Sequence, residues 1–273
     1  MRAPLQGRTL LISGGSRGIG LSIALRAAAD GANVALIAKT ADPHPKLEGT
    51  VFTAAEEINA AGGRALPIVG DVRDEASVVD AVAKTVAEFG GIDVVINNAS
   101  AINLTGSAEI EMKRYDLMHQ INTRGTFLLT RTALPHLAQS ADPRILSLSP
   151  PLNLSEKWLG AYPAYMLAKY GMTLAALGIG AETGIPAACL WPRTTIQTAA
   201  VQNVLGGDEV FRRSRTPEIY ADASHALLSG DASAMAGKTL FCEDVLKNAG
   251  VTDFSQYSPG VPESELFPDA FVG

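Results

Sequence analysis

Short apolar runs alternate with helix-like segments along most of the chain, and this alternation limits the folds that the sequence can adopt. The apolar runs fall at residues 9–13, 33–38, 65–69, 93–96, 144–148, 186–190 and 239–242. Helical periodicity fills the intervals at residues 19–29, 53–61, 75–89, 111–136, 164–182 and 217–228. Strands that alternate with helices form βαβ crossovers, which make the strands parallel and cover both faces of the sheet. The sequence therefore predicts an α/β fold with one doubly wound parallel sheet.

The repeat continues without a linker, so we predict one domain over residues 1–246 and an irregular C-terminal tail over residues 247–273. A polar insertion with two prolines, residues 42–50, follows the second strand. The apolar fraction is 47% and the charged fraction 18%, which is ample for a core. Two alternatives stay open for the tail, which either packs on its own domain or reaches a neighbouring subunit. Its aromatic residues are Phe254, Tyr257, Phe267 and Phe271.

Charge and composition exclude several classes of protein. The chain has 28 acidic and 22 basic residues, a net charge of −6 and no basic run, which argues against a nucleic-acid partner. No apolar stretch is long enough to span a membrane, and residues 1–7 lack the apolar core of a secretory signal. Cys189 and Cys242 are far apart, and the four histidines are scattered, so we expect no disulfide scaffold and no metal site. These features together predict a cytoplasmic protein.

A glycine-rich turn joins the first strand to the first helix. Gly14, Gly18 and Gly20 allow the backbone to approach a pyrophosphate, and the following helix directs its free N–H groups at the anion. The spacing G-x-x-x-G-x-G differs from the common G-x-G-x-x-G, so the turn by itself is weak evidence. It predicts a dinucleotide site, and it makes the predicted sheet Rossmann-type.

Three further motifs follow this turn in order, after the third strand, after the fourth strand and in a later helix: Asp71-Val72, Asn97-Asn98-Ala99-Ser100 and Tyr165-x-x-x-Lys169. The ordered set resembles the short-chain dehydrogenase/reductase superfamily, over residues 7 to about 245. Longer stretches, among them residues 148–154 and 190–194, resemble its hydroxysteroid dehydrogenase-like protein 2 branch. Longer members of that branch carry a C-terminal sterol-carrier domain, and we expect this chain to be too short to hold one.

The resemblance implies an oxidoreductase that moves a hydride between a nicotinamide cofactor and a small-molecule carbonyl or secondary alcohol. It also implies a homodimer or homotetramer built through the helices that start near Glu111 and Ala164. Cofactor contacts are implied for Gly14, Ser16, Arg17, Gly18, Ile19, Gly20, Asp71, Val72, Asn98, Ala99, Ser100, Tyr165, Lys169, Pro192, Ile196 and Thr198.

The end of the second strand favours NADP(H) over NAD(H). Sites for NAD(H) usually place an acidic residue there, where it bonds the ribose 2′-hydroxyl. This chain instead has Lys39, and Arg17 lies within the glycine turn. Two cations favour a 2′-phosphate. The alternative is that both residues are solvated surface charges.

Tyr165 and Lys169 are four residues apart on a predicted helix, so they share one face. A free tyrosine has a pKa near 10, and a nearby ammonium lowers it. We therefore predict that Tyr165 exchanges a proton with the substrate oxygen while Lys169 holds the nicotinamide ribose. By resemblance, Asn122 interrupts a long helix and supports a water that leads to the lysine. An asparagine within a helix also bonds backbone and bends the helix.

Two positions depart from the family pattern. The serine that polarises the substrate oxygen would align with Pro150, and the nearby candidates are Ser147, Ser149 and Ser155. We predict Ser149, with the alternative that no serine assists and that Tyr165 acts alone or with a water. After the sixth strand the family has Pro-Gly, whereas this chain has Arg193 after the proline.

Residues 198–215 are apolar on one side and are expected to cover the substrate, with Gly206-Gly207 as a hinge. Such a cover suggests a hydrophobic or lipid-like substrate, although a helix that packs on the core explains the same residues. The sequence therefore predicts an NADP(H)-dependent oxidoreductase. Because the serine is displaced, the alternative is a low-turnover NADP(H)-binding sensor or scaffold protein.

Overall fold

The computed structural model describes residues 4–43 and 49–272, so part of the polar insertion at 42–50 lies outside the described residues. Within this part of the chain, seven strands form one parallel sheet in the order β3-β2-β1-β4-β5-β6-β7. The strands are β1 (Thr9–Ser13), β2 (Asn33–Ala38), β3 (Arg64–Val69), β4 (Val94–Asn97), β5 (Arg144–Ser147), β6 (Ala187–Trp191) and β7 (Lys238–Phe241). The predicted α/β fold with a doubly wound, Rossmann-type sheet is confirmed.

Helices cover both faces of this sheet. They are α1 (Gly18–Ala28), α2 (Val51–Ala60), α3 (Glu75–Phe89), α4 (Met112–His119), α5 (Gly125–Leu137), α6 (Glu156–Ala161), α7 (Pro163–Thr183), α8 (Gly207–Arg212), α9 (Glu218–Ser229) and α10 (Cys242–Asn248). One apolar cluster joins α1 and α9 to one face, and a second joins α3, α5 and α7 to the other. This double cover explains why the central strands are continuous apolar runs.

The order of the strands reverses beside β1, and this reversal places the site. Strand β1 pairs with β2 on one side and with β4 on the other, with Ser13 opposite both Ile37 and Asn97. In open α/β sheets, ligands bind outside the carboxyl ends of the strands at such a reversal. The glycine turn and the segment after β4 both leave the sheet at that edge.

The segment predicted as one helix over 111–136 is divided in the structure. Helix α4 passes through a π-helical turn, Gln120–Arg124, into α5. Single π-helical turns within helices occur frequently at functional sites. The short helices α6, α8 and α10 are additional to the predicted set. Helices of six or seven residues are marginal in isolation, so their sequences carry little helical signal.

The C-terminal tail packs on its own domain. Short 3₁₀ turns, Ser255–Tyr257 and Glu263–Glu265, break its path after α10. Phe254 and Tyr257 are buried in the cluster that covers α1 and α9.

None of the helices in residues 4–43 and 49–272 is both long enough and apolar enough to cross a membrane.

Candidate active site

The glycine turn is shaped by residues that tolerate no side chain. Gly14 and Gly18 have φ angles of 70° and 54°, in the left-handed region that favours glycine. A Cβ atom at Gly20 would lie 2.8 Å from the carbonyl oxygen of Gly14 and 2.6 Å from the amide nitrogen of Asn98. The turn can therefore follow this path only with glycine at these positions.

Asn98 holds the glycine turn against the end of β4. Its side-chain amide donates to the carbonyl oxygens of Ser13 and Gly14, both at 2.8 Å. The Ser13 hydroxyl accepts from the N–H groups of Asn98 and Ala99, both at 3.1 Å. Ser100 follows as an exposed residue. The motif after β4 thus sets the shape of the turn, a role that sequence alone did not indicate.

The geometry of this turn fits a dinucleotide phosphate. A Cβ atom at Gly18 would come within 3.6 Å of the Thr198 methyl group, so the turn faces the segment after β6 across a narrow gap. Within the described residues, the buried Arg17 Nε has no hydrogen-bond partner, while its Nη2 donates to the Gly49 carbonyl oxygen at 2.6 Å. Ser16 is buried and Ile19 is half-buried at the start of α1. The N-terminus of α1 and Arg17 are therefore the groups that could hold phosphate here.

Charged groups converge at the ends of β2 and β3. Lys39 is 59% exposed, and its ammonium lies 3.6 Å from the Asp71 carboxylate. Arg73 donates to both carboxylate oxygens of Asp71, which lowers the pKa of that carboxyl group. Val72, next in sequence, is buried. Arg73 was not foreseen from the sequence, although its place two residues after Asp71 suits such a bidentate pair.

Tyr165 and Lys169 lie on one face of α7, and both are buried, with 7% and 3% exposure. The Lys169 ammonium donates to the Leu148 carbonyl oxygen at 2.7 Å and lies 5.0 Å from the centre of the Trp191 ring. Burial lowers the pKa of Lys169 to about 7. Tyr170 is occupied elsewhere, because its hydroxyl donates to the Asn153 carbonyl oxygen at 2.7 Å.

The pKa of Tyr165 moves against the expectation from its spacing to Lys169. Burial raises the pKa of the phenol, and the nearby Asp269 carboxylate raises it further. The expected lowering was therefore wrong for this structure. The reason is burial, which disfavours the charged phenolate of Tyr165 and, in the same way, the charged ammonium of Lys169.

Asn122 ties the π-helical turn to the segment after β4. It is fully buried, its side-chain oxygen accepts from the Ala101 N–H at 2.7 Å, and its side-chain amide donates to the Ala101 carbonyl oxygen at 3.0 Å. The helix is interrupted at Asn122, as the resemblance implies. The side chain of Asn122 bonds the backbone of Ala101, which lies in the segment after β4 and not in the same helix. The water supported by Asn122 stays a prediction.

The three candidate serines differ in burial and in their hydrogen-bond partners. Ser147 and Ser149 are fully buried, and the Ser149 hydroxyl accepts from Thr173 at 2.9 Å. No hydrogen bond in the described part of the chain joins Ser149 to Tyr165. Ser155 is exposed at the start of α6. The role of Ser149 in polarising a substrate stays a prediction that this arrangement does not support.

A partly buried ionic network fixes the segment after β6. The backbone N–H of Arg193 donates to the Glu243 carboxylate, and its guanidinium pairs with Asp244 at 2.6 Å. Glu243 also faces Arg215 at 3.5 Å, and Arg215 is 1% exposed. The family has a glycine where this chain has Arg193. The bond from the Arg193 N–H to Glu243 holds the backbone at this position. The segment carries the predicted cofactor residues Pro192 (buried), Ile196 (buried) and Thr198 (half-buried).

Apolar side chains surround the ring of Tyr165. The buried members of this cluster are Met118, Ala164, Met166, Ala168, Tyr170, Trp191 and Phe271. Ala101, Ile102, Leu104, Tyr115 and Trp158 pack against it. A phenolic hydroxyl set among apolar side chains at the edge of the sheet can exchange a proton with an apolar carbonyl compound.

Comparison with known proteins gives concordant matches. The short chain dehydrogenase family model matches residues 8–204. A crystal structure of a short chain dehydrogenase from Mycobacterium thermoresistibile is 59% identical, covers 98% of this chain and 96% of its own, and superposes with a TM-score of 0.92. Hydroxysteroid dehydrogenase-like protein 2 is 53% identical in Danio rerio and 47% identical in Homo sapiens, each over 272 residues. These matches cover 98% of this chain but only 64% of either relative.

Proposed function

The chain belongs to the short-chain dehydrogenase/reductase family, and we propose that it transfers a hydride between NADP(H) and a carbonyl or secondary alcohol of a hydrophobic substrate. One observation carries the proposal. Tyr165 and Lys169 lie on one face of α7, and Lys169 bonds the carbonyl oxygen of Leu148, which follows β5 at the same edge of the sheet as the glycine turn. A proton-exchanging phenol beside a dinucleotide site is the arrangement that hydride transfer to a carbonyl requires.

The residues at the turn fit the phosphates of the cofactor. Gly14, Gly18 and Gly20 let the turn follow its tight path against the segment after β4, and the N-terminus of α1 supplies N–H donors. Arg17 and Lys39 would hold the 2′-phosphate that distinguishes NADP(H) from NAD(H). When bound, the nicotinamide supplies or accepts the hydride.

Tyr165 performs the proton transfer in this proposal. In carbonyl reduction the O–H bond of Tyr165 breaks and its proton goes to the substrate oxygen, and in alcohol oxidation the proton returns. Burial raises the pKa of the phenol, which makes it a weaker acid than a free tyrosine, so the position of Tyr165 and not its acidity supports the proposal. Lys169 orients the ribose. Its anchor on the Leu148 carbonyl oxygen fixes the position of the ammonium.

The apolar cluster around Tyr165 supports a hydrophobic substrate. Met118, Met166 and Ile102 offer no polar partner, so they favour an alkyl or aryl substituent over a hydrophilic one. The π-helical turn Val201–Leu205 and α8 form the segment that we propose covers the substrate. The name of the hydroxysteroid dehydrogenase-like relatives agrees with a lipid-like compound.

The test is NADPH consumption with a panel of hydrophobic aldehydes and ketones. Carbonyl-dependent loss of absorbance at the NADPH band supports an oxidoreductase. The burial of Ser149 favours a second candidate, a low-turnover NADP(H)-binding sensor or scaffold. Tight NADPH binding without turnover on any member of the panel favours that candidate.

Removal of the two cations is expected to change the choice of cofactor. Arg17→Ala and Lys39→Ala should each weaken NADPH binding about tenfold, because a charged hydrogen bond to phosphate is lost. NADH affinity should change less than about twofold, since the 2′-hydroxyl carries no charge. Fluorescence titration measures both affinities. Arg64→Ala is the control, because Arg64 is exposed and pairs with Glu88 on α3. Equal losses for NADPH and NADH would contradict the assignment.

We further propose a homodimer or homotetramer that uses the outer faces of α5 and α7. Phe127, Leu167 and Leu174 are large apolar side chains that are 49%, 49% and 59% exposed on these helices, and a partner subunit packed there would bury them. Light scattering should give a mass of two or four chains, and a monomer at micromolar concentration would contradict this.

Cys189 and Cys242 are both free and buried, which suits a reducing compartment such as the cytoplasm.

A further inference from the structure

The C-terminal segment, residues 266–271, runs along the loop that follows β6. The N–H of Thr195 donates to the Phe267 carbonyl oxygen at 2.9 Å. The indole N–H of Trp191 donates to the Ala270 carbonyl oxygen at 2.9 Å. Because Trp191 also contacts Lys169, the C-terminal segment is fixed directly beside the catalytic pair.

Phe271 ends this segment in an unusual conformation. Its φ angle is 65°, and no other non-glycine residue in the described ranges has a positive φ. A bulky side chain is disfavoured there, so surrounding contacts must hold it. The ring is 2% exposed, and its centroid lies 5.3 to 6.2 Å from the rings of Trp158, Tyr165, Tyr170 and Trp191.

The Phe271 ring lies against Tyr165, at an interplanar angle of 28° and a centroid distance of 6.2 Å. It fills the apolar space beside the phenol, where a substituent of the substrate carbonyl would otherwise extend. We propose that Phe271 determines substrate specificity, by closing this aromatic pocket and limiting the size of that substituent. The inference rests on the proposed function.

The surroundings of Phe271 indicate the substituent that would replace its ring. Two tryptophan and two tyrosine rings form the walls, and such walls favour a planar ring through offset or edge contacts. An apolar cavity left by a deleted side chain stays dry and accepts a benzene-sized molecule. Phe271→Ala should therefore open the pocket to carbonyl compounds that carry an aryl group.

The kinetic test compares hexanal with benzophenone as substrates for NADPH-dependent reduction. In Phe271→Ala, kcat/KM for benzophenone relative to hexanal should rise about 10- to 100-fold, mainly through KM. Phe271→Leu should give a smaller rise. Phe267→Ala is the matched control, because Phe267 belongs to the same segment but is 40% exposed and lies outside the aromatic cluster. A purely structural role would lower both rates and leave their ratio unchanged, which would overturn the proposal.

Tryptophan emission gives a readout that does not depend on turnover. The chain has two tryptophans, and both flank Phe271. Toluene should alter the emission of folded Phe271→Ala at a concentration at least about tenfold lower than for the unsubstituted chain. Equal responses from the two proteins would contradict the pocket. If no carbonyl is reduced by the unsubstituted chain, the proposed function fails, and the toluene titration still decides the pocket. If Phe271→Ala does not fold, the substrate ratio in Phe271→Leu decides the proposal.

Discussion

Replacing Tyr165 with phenylalanine is expected to lower kcat for carbonyl-dependent NADPH oxidation by about 10²- to 10⁴-fold, the usual contribution of a positioned acid or base. The substitution removes the hydroxyl that donates the proton and keeps the ring that packs against Phe271. NADPH affinity should change less than about threefold, because the phosphate contacts at the glycine turn are untouched. Steady-state kinetics and a fluorescence titration measure the two quantities.

Tyr170→Phe is the matched control for this experiment. Its hydroxyl bonds the backbone of Asn153, so its loss should lower the free energy of unfolding by about 1 kcal/mol while kcat is largely retained. Circular dichroism checks that both variants fold. A Tyr165→Phe variant that retains the kcat of the unsubstituted chain would show that another group protonates the substrate, and the proposed mechanism would be wrong.

The fold was predictable because its signals are local. Each buried strand, such as β1 or β6, is a short apolar run, and long helices such as α3 and α7 show a 3.6-residue pattern with a glycine at the end. Glycines follow β1 and asparagines follow β4 in the sequence. Because the carboxyl ends of parallel strands share one edge of the sheet, the glycine turn and the Asn98 motif are expected there together. The interruption between α4 and α5 was foreseen only through the family resemblance, because a π-helical turn leaves no distinct apolar pattern.

The finer contacts of the site were not predictable for a different reason. Lys169 bonds the Leu148 carbonyl oxygen and Phe271 adopts a positive φ, and both depend on segments that meet only in the folded chain. The Ser149 hydroxyl bonds Thr173 on α7. The positions of these two residues in the sequence do not reveal that contact. The pKa direction of Tyr165 was wrong for the same reason, since burial is a property of the packed structure.

Arg215 provides the largest expected effect on stability. Its guanidinium is 1% exposed and faces the Glu243 carboxylate, which is also buried. Arg215→Ala leaves that carboxylate without its main counter-charge, and removing one partner of a buried pair costs about 3–5 kcal/mol. Urea unfolding should show this loss. Arg131→Ala, which removes an exposed pair with Glu75, should cost less than about 1 kcal/mol.

A pH series and a double substitution separate the charge from the packing. Burial raises the pKa of Glu243 already in the presence of Arg215, and loss of the cation should raise it further. The cost of Arg215→Ala should therefore grow as the pH rises and Glu243 ionises, and shrink as the pH falls and the carboxyl group takes up a proton. Adding Glu243→Gln to Arg215→Ala should recover part of the lost stability at neutral pH, because the unpaired charge is gone. A cost that is equal at both ends of the pH range, with no recovery in the double variant, would mean that Arg215 acts through packing and its bonds to Glu263 and the Phe254 carbonyl oxygen, and not through Glu243.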